Sequence, residues 1–300
     1  MRAIAAGMGL GMLLAGASAW TQSTPQQQQI AASTGPVANA TSPDYSAVYC
    51  SNFVTSDRGG DDSRLISGEE SNSKLIFALR DLVFISKGSS QGVHVGDRYS
   101  VFRPEKDPLE YQWFKWQNKL MKAMGTYYED VGQLKVVNVH PNVSTAEVTF
   151  ACGYLQRGDL IRPWQERPSP PYKPADKFDQ FAPVSGKSVG MIVVGKDFTQ
   201  AYGKFSTVFV NLGANQTVNV GDYVRFFRYE GGNNQTAANF DDYQYKMYGF
   251  GSNPVKYTWN DLPRDVLGEG IVLNVSPNSS TVYVTYSRID IYAGDYVEVE

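Results

Sequence analysis

The feature that most constrains this chain is that part of it occurs twice. The segment VFISKGSSQGVHVGDRYSVFR, 83–103, aligns without a gap on VFVNLGANQTVNVGDYVRFFR, 208–228, with 10 of 21 positions identical at an offset of 125 residues. A second stretch, 132–159, aligns on 268–295 at an offset of 136 residues with 12 of 28 identical. The larger second offset means that the second copy carries the longer insertion between its halves. Two copies of one unit, separated by a stretch rich in proline, predict paired domains rather than a solenoid.

Each copy reads as short strands joined by tight turns. Val83–Ile85 is an apolar run, Gly88–Asp97 a turn-rich crossing, and Arg98–Arg103 resumes as a strand. Val136–Val139 and Ala146–Phe150 flank His140-Pro141-Asn142, a β-turn signature matched by Ser276-Pro277-Asn278. Apolar runs at Leu75–Leu79 and Met191–Val194 precede the two copies. The chain has 28 Gly, 15 Pro and 19 Tyr, which suits strands and turns better than a helical bundle. The expected fold is mainly β: two tandem small β-barrel or sandwich-like modules of five or six strands, closed or packed to protect their edges.

One helix is expected, inside the first copy. Leu109, Trp113, Trp116, Leu120 and Met124 recur at helical spacing, with Asp107 as N-cap, Pro108 at the first position and Gly125 after the end. Its apolar stripe, including Trp113 and Trp116, is expected to cap the core of its own module. The second insertion, 230–267, is rich in Gly, Asn and Tyr, and no comparable helix is legible there.

The expected domain map follows. Residues 1–19 hold an Arg, an apolar stretch and Ala17-Ser18-Ala19, the pattern of a secretory signal peptide cut before Trp20. Residues 20–44 are too polar to bury a core and predict a disordered leader. The first β-module with its N-terminal extension spans 45–163, a Pro-rich linker 164–183, and the second module 184–300. No later stretch approaches the ~18 uninterrupted apolar residues of a membrane span. These features predict an exported protein, periplasmic or extracellular, without a transmembrane segment in the mature chain.

The two cysteines, Cys50 and Cys152, would then meet an oxidising compartment. One disulfide is expected, with two separate buried thiols as the alternative. The second copy has Arg288 in place of Cys152, so the bridge would tie the N-terminal segment onto the first module alone.

The conspicuous V-x-V-G-D motif occurs at Val93–Asp97 and Val218–Asp222, and Gly-Asp recurs at Gly158-Asp159 and Gly294-Asp295. Glycine admits positive φ, and aspartate hydrogen-bonds the backbone beside it. We therefore read Gly96, Asp97, Gly221, Asp222, Gly158, Asp159, Gly294 and Asp295 as structural turns rather than as metal or catalytic groups. This pattern of strand, V-x-V-G-D, strand ending in Phe-Arg and a later Gly-Asp resembles the C-terminal β-domain of the flagellar assembly protein T family. The resemblance implies a non-enzymatic periplasmic or envelope module.

No catalytic signature is legible. His94 and His140 correspond to Asn219 and Ser276 in the other copy, and no nucleophile elbow, zinc motif or phosphate loop occurs. The acidic doublets Asp61-Asp62, Glu69-Glu70 and Asp241-Asp242 read as solvated loop charges. The expectation is therefore no enzyme, with a hydrolase kept only as a third alternative, no cofactor and no metal. A net charge of −3 offers no general attraction to nucleic acid. The candidate recognition residues are aromatics of the two insertions: Trp113 and Trp116 in the first, and Tyr243, Tyr245, Tyr248, Phe250, Tyr257 and Trp259 in the second. They would contact an envelope protein or, alternatively, a cell-wall glycan by stacking on sugar rings.

Overall fold

The computed structural model describes residues 41–57, 63–70, 73–108, 112–173, 178–229 and 263–300. The expected signal peptide lies outside the described residues, as do 20–40 of the leader. A short helix α1 (Tyr45–Tyr49) leads into β1 (Phe53–Thr55), β2 (Leu65–Gly68), β3 (Ile76–Phe77), β4 (Leu82–Ile85) and β5 (Arg98–Pro104). Helix α2 (Gln117–Met124) precedes β6 (Thr126–Val139), β7 (Ser144–Ala151), β8 (Leu155–Gln156) and β9 (Leu160–Pro163). The second half supplies β10 (Val189–Gly195), β11 (Ala201–Tyr202), β12 (Thr207–Val210) and β13 (Tyr223–Arg228). It ends with β14 (Asp265–Ser276), β15 (Ser279–Ser287), β16 (Ile291–Tyr292) and β17 (Tyr296–Val299).

The protein is mainly β. The second half is a closed antiparallel barrel in the order β10-β12-β15-β14-β13-β17, with Val189↔Glu298 and Met191↔Tyr296 sealing it. Closure leaves no edge strand to pair with another chain. The first half follows the same order, β2-β4-β7-β6-β5-β9, as a curled sheet. Its two ends meet at one bridge, Arg64↔Leu160, flanked by Leu65 N donating to Asp159 O and Ile161 N to Ser63 O, both at 2.9 Å.

Each sheet has four register shifts, and they fall at matching positions. Those at Leu65/Ser67, Val101/Phe102, Gln133/Leu134 and Val136/Asn138 answer Ile192/Val194, Phe226/Phe227, Glu269/Gly270 and Val272/Asn274. A bulge bends its strand and increases its twist, so the same four bends curl both sheets. Gly88 and Gly213 occupy matching close approaches. A β-carbon there would stand 2.1 Å from His140 O and 2.3 Å from Ser276 O, so only glycine lets the crossing lie on the β-turn between the long strands.

Inward residues of alternating strands fill each core: Leu65, Phe77, Val83, Ile85, Leu134 and Ile161 in the first, Ile192, Val208, Phe226, Leu267 and Val282 in the second. The structure corrects the sequence reading at the first strand and at the helix start. The first strand of the first sheet is β2, not the run Leu75–Leu79. Of that run only Phe77 turns inward, while Leu75, Ile76 and Leu79 are exposed. Helix α2 begins at Gln117, well after the Asp107-Pro108 start, because Phe114 is drawn into the core of the second module and Trp116 sits in the left-handed region at φ 80°. Its end at Gly125 is as expected.

The two modules are locked together. Val54, Met124 and Tyr127 of the first pack with Val193, Val194 and Phe209 of the second. Gln117 Nε2 donates to Val193 O at 2.8 Å, Ser279 Oγ to Val54 O at 2.5 Å, and Thr281 Oγ1 to Asn52 O at 3.1 Å. The proline-rich stretch packs along both halves. Arg167 pairs with Asp130, Lys173 Nζ lies 2.8 Å from Glu269 and 2.9 Å from Glu300, and Ala182 is buried with Phe227 and Val266.

Candidate binding cleft between the modules

The disulfide begins the construction of the site. Asp44 caps α1 by accepting from Ala47 N at 2.6 Å, and Cys50 at the helix end is bonded to Cys152. The chain leaving that anchor runs as β1 along the part of β6 that β7 does not reach, pairing Phe53↔Tyr128 and Thr55↔Thr126. Asn52, in the left-handed region at φ 60°, exchanges two 3.0 Å bonds with Asp130: its N–H donates to Oδ2 and its Oδ1 accepts from the backbone N–H.

The Asp130 carboxylate also takes a bidentate pair from Arg167, at 2.6 and 2.8 Å. A planar guanidinium matched to both carboxylate oxygens is among the strongest side-chain contacts. Asp130 is thereby fully engaged.

β1 also brings Phe53 onto Tyr128, with ring centroids 5.2 Å apart and nearly parallel, and near Phe102 at 5.8 Å. All three rings are buried. Arg162, which sits opposite Ser100 where β9 pairs with β5, lays its guanidinium over Phe53 at 4.7 Å and over Phe102 at 5.0 Å. Burial, and secondarily the charge of Arg167, hold the Arg162 pKa below its ordinary value.

These residues form one wall of a cleft of about 500 Å³. Pro163, Gln165, Glu166 and Pro168 continue it, and the facing wall is Val220 with Leu273–Ser276 of the second module. Neither module alone makes the cleft.

Of the sequence-predicted recognition residues, Trp113 is half-buried against the core of the second module, not that of its own. Trp116 is 59% exposed, with Lys115 Nζ and Lys119 Nζ at 5.0 and 5.7 Å from its ring centre. Neither lines the cleft. Tyr243, Tyr245, Tyr248, Phe250, Tyr257 and Trp259 lie outside the described residues.

The four Gly-Asp turns divide into two kinds. Gly96, Gly158, Gly221 and Gly294 all have φ between 93° and 99°. Asp97 and Asp222 are turn residues, accepting from His94 N and Asn219 N at 2.8 Å. Asp159 and Asp295 do more. Each accepts from the backbone three residues earlier and is also clamped by a buried arginine, Arg103 at 3.0 and 3.1 Å and Arg228 at 2.6 Å for both oxygens. The Arg103 pKa is raised overall: burial opposes the shift, but Asp159 together with Glu129 and Tyr154 outweighs it. These pairs were not anticipated, although Phe-Arg and Gly-Asp recurring together in both copies was a signal for them.

Among the described residues no group of three His, Cys, Asp or Glu is placed to hold a metal ion. No helix among them is long and apolar enough to cross a membrane. No protein-family model matches the sequence, and no curated protein matches it.

Proposed function

We propose that this is an exported, non-catalytic protein of the bacterial envelope or periplasm, in which a duplicated β-module forms one platform that binds a partner. The observation that carries this reading is the inter-module cleft. Its two walls come from different modules, held by a shared apolar core and by side-chain bonds to β1, so the opening is preset rather than assembled on binding. The Cys50–Cys152 bond and the signal-like N-terminus support export. The resemblance to the C-terminal β-domain of the flagellar assembly protein T family supports a non-enzymatic envelope role.

A photo-crosslinking residue at Val220, on the rim, tests the reading in cells. Adducts at Val220 that are absent when the probe stands at Leu79, exposed and away from the cleft, are expected. No adduct from Val220 in envelope fractions would refute it, and the exported chain should begin at Trp20.

The exposed indole of Trp116 between two lysines favours one second reading, retention on cell-wall glycan. Trp116→Ala should then abolish binding to purified peptidoglycan, with Tyr245→Ala and Trp259→Ala testing the second insertion.

A further inference from the structure

We infer that Arg162 is the receptor for a carboxylate of a bound peptide, an inference that rests on the inter-module cleft being a binding surface. The guanidinium of Arg162 has no hydrogen-bond or ion-pair partner among the described residues, although it is half-buried and lines the cleft. Its neighbour Arg167 takes the nearby carboxylate, Asp130, with both nitrogens, and Asn52 N occupies the same group. Glu166, which also lines the cleft, is exposed and forms no ion pair with Arg162. One positive charge is therefore partly desolvated with no direct partner, met only at longer range by Asp130, and an incoming carboxylate would answer it directly.

The geometry selects the ligand. Phe53 and Phe102 lie on one side of the guanidinium, their own ring centres 5.8 Å apart, so its other face and its N–H edge are left for a ligand, and that edge is the fork that matches a planar carboxylate. Glu166 on the same cleft works against a doubly charged phosphate. The rings beneath Arg162 are themselves buried, at 4% for Phe53 and 7% for Phe102, which leaves neither face for a sugar to stack on. Val220, Val275, Pro163 and Pro168 supply apolar ground for neighbouring side chains beside the polar Gln165, Asn274 and Ser276. A peptide with a glutamate between apolar residues fits this lining.

The test follows the Arg162 Nε–Hε signal in the NMR spectrum of the intact, disulfide-bonded protein, assigned by its loss in Arg162→Lys. The probes are acetyl-Val-Glu-Val-amide, its glutamine counterpart and a galacturonate disaccharide. The glutamate peptide should shift the signal saturably and bind roughly tenfold more tightly than the glutamine peptide, as a charge-assisted contact implies. Arg162→Gln should erase that preference, and Arg162→Lys, which keeps the charge without the fork, should retain only part of it. Both variants are checked for the disulfide and an unchanged urea midpoint.

Equal binding of the two peptides, or no saturable shift with either, would overturn the inference. A response to galacturonate alone would also overturn it. If Val220 crosslinks to a partner while the peptides fail, the cleft stands as a binding surface and only the carboxylate assignment falls.

Discussion

The ring of Phe114, carried on the first module, lies against Gly294 of the second, so closely that a β-carbon on that glycine would stand 3.0 Å from Phe114 Cγ. One module thus donates a side chain to the other's core. Phe114→Ala should lower unfolding free energy by about 3–5 kcal/mol, the usual cost of emptying a buried phenylalanine site. Gly294→Ala should also destabilise, because it meets the ring and needs φ 99°. Urea unfolding measures both, and an unchanged midpoint for Phe114→Ala would show that the ring does not join the modules.

The two buried arginine clamps should be more costly to break than to replace. Asp295→Ala, which strands Arg228, should cost about 3–5 kcal/mol, whereas Arg228→Leu with Asp295→Leu should cost less per site. Arg103 and Asp159 should behave alike. A double-mutant cycle on each pair is the measurement, and coupling near zero would remove the clamps from the account of stability.

Cys50 and Cys152, separated by 102 residues, close a loop through most of the first module. Replacing both with alanine should lower stability by up to about 4–5 kcal/mol on the chain-entropy model. The loss should be accompanied by release of α1 and β1, read as faster amide exchange at Phe53–Thr55. Intact mass under alkylating, non-reducing conditions should show no free thiol in the native protein.

Burial raises the phenol pKa of Tyr127 and of Tyr202 above the ordinary tyrosine value; the bond that Tyr127 Oη accepts from Asn52 Nδ2 does not offset it, and Tyr202 Oη donates to Thr199 O. The folded state holds those protons more tightly than the unfolded chain. Their contribution is complete below about pH 10, the unfolded value, and is lost as pH rises toward the folded values. Tyr172 is pushed up to about 12. Absorbance at 295 nm should show an early group of tyrosines ionising with near-UV circular dichroism intact, and Tyr127 and Tyr202 ionising only as that signal collapses. Ionisation of every tyrosine in one step without loss of the signal would contradict this.

The strands of the two aligned segments were legible because their inward residues alternate and their turns carry Gly, Pro and Asn at fixed positions. β2 was missed because Leu65–Gly68 has little apolar pattern, while the apolar run Leu75–Leu79 is mostly exposed. Periodicity alone also placed Trp113 and Phe114 on a helix. It could not register that the neighbouring module needs Phe114, a demand that begins the helix at Gln117. The cleft was the least legible part. Phe53, Arg162 and Val275 belong to no common motif, and they meet only after β1 has crossed β6 and the modules have docked. The arginine clamps join residues 56 and 67 positions apart, beyond the reach of local pattern.

The bonds from Ser279 to Val54 and from Thr281 to Asn52 span 225 and 229 residues. They set a constraint on the order of events during synthesis. A chain emerging N-terminus first offers β1 early, but the hydroxyls that hold its outer side arrive only with β15, close to the other end. Contacts of such long sequence separation form slowly, because the loop they close must be ordered first. β1 can have its outer flank covered only once β15 has been made, so the cleft cannot be complete before nearly the whole chain has been synthesised.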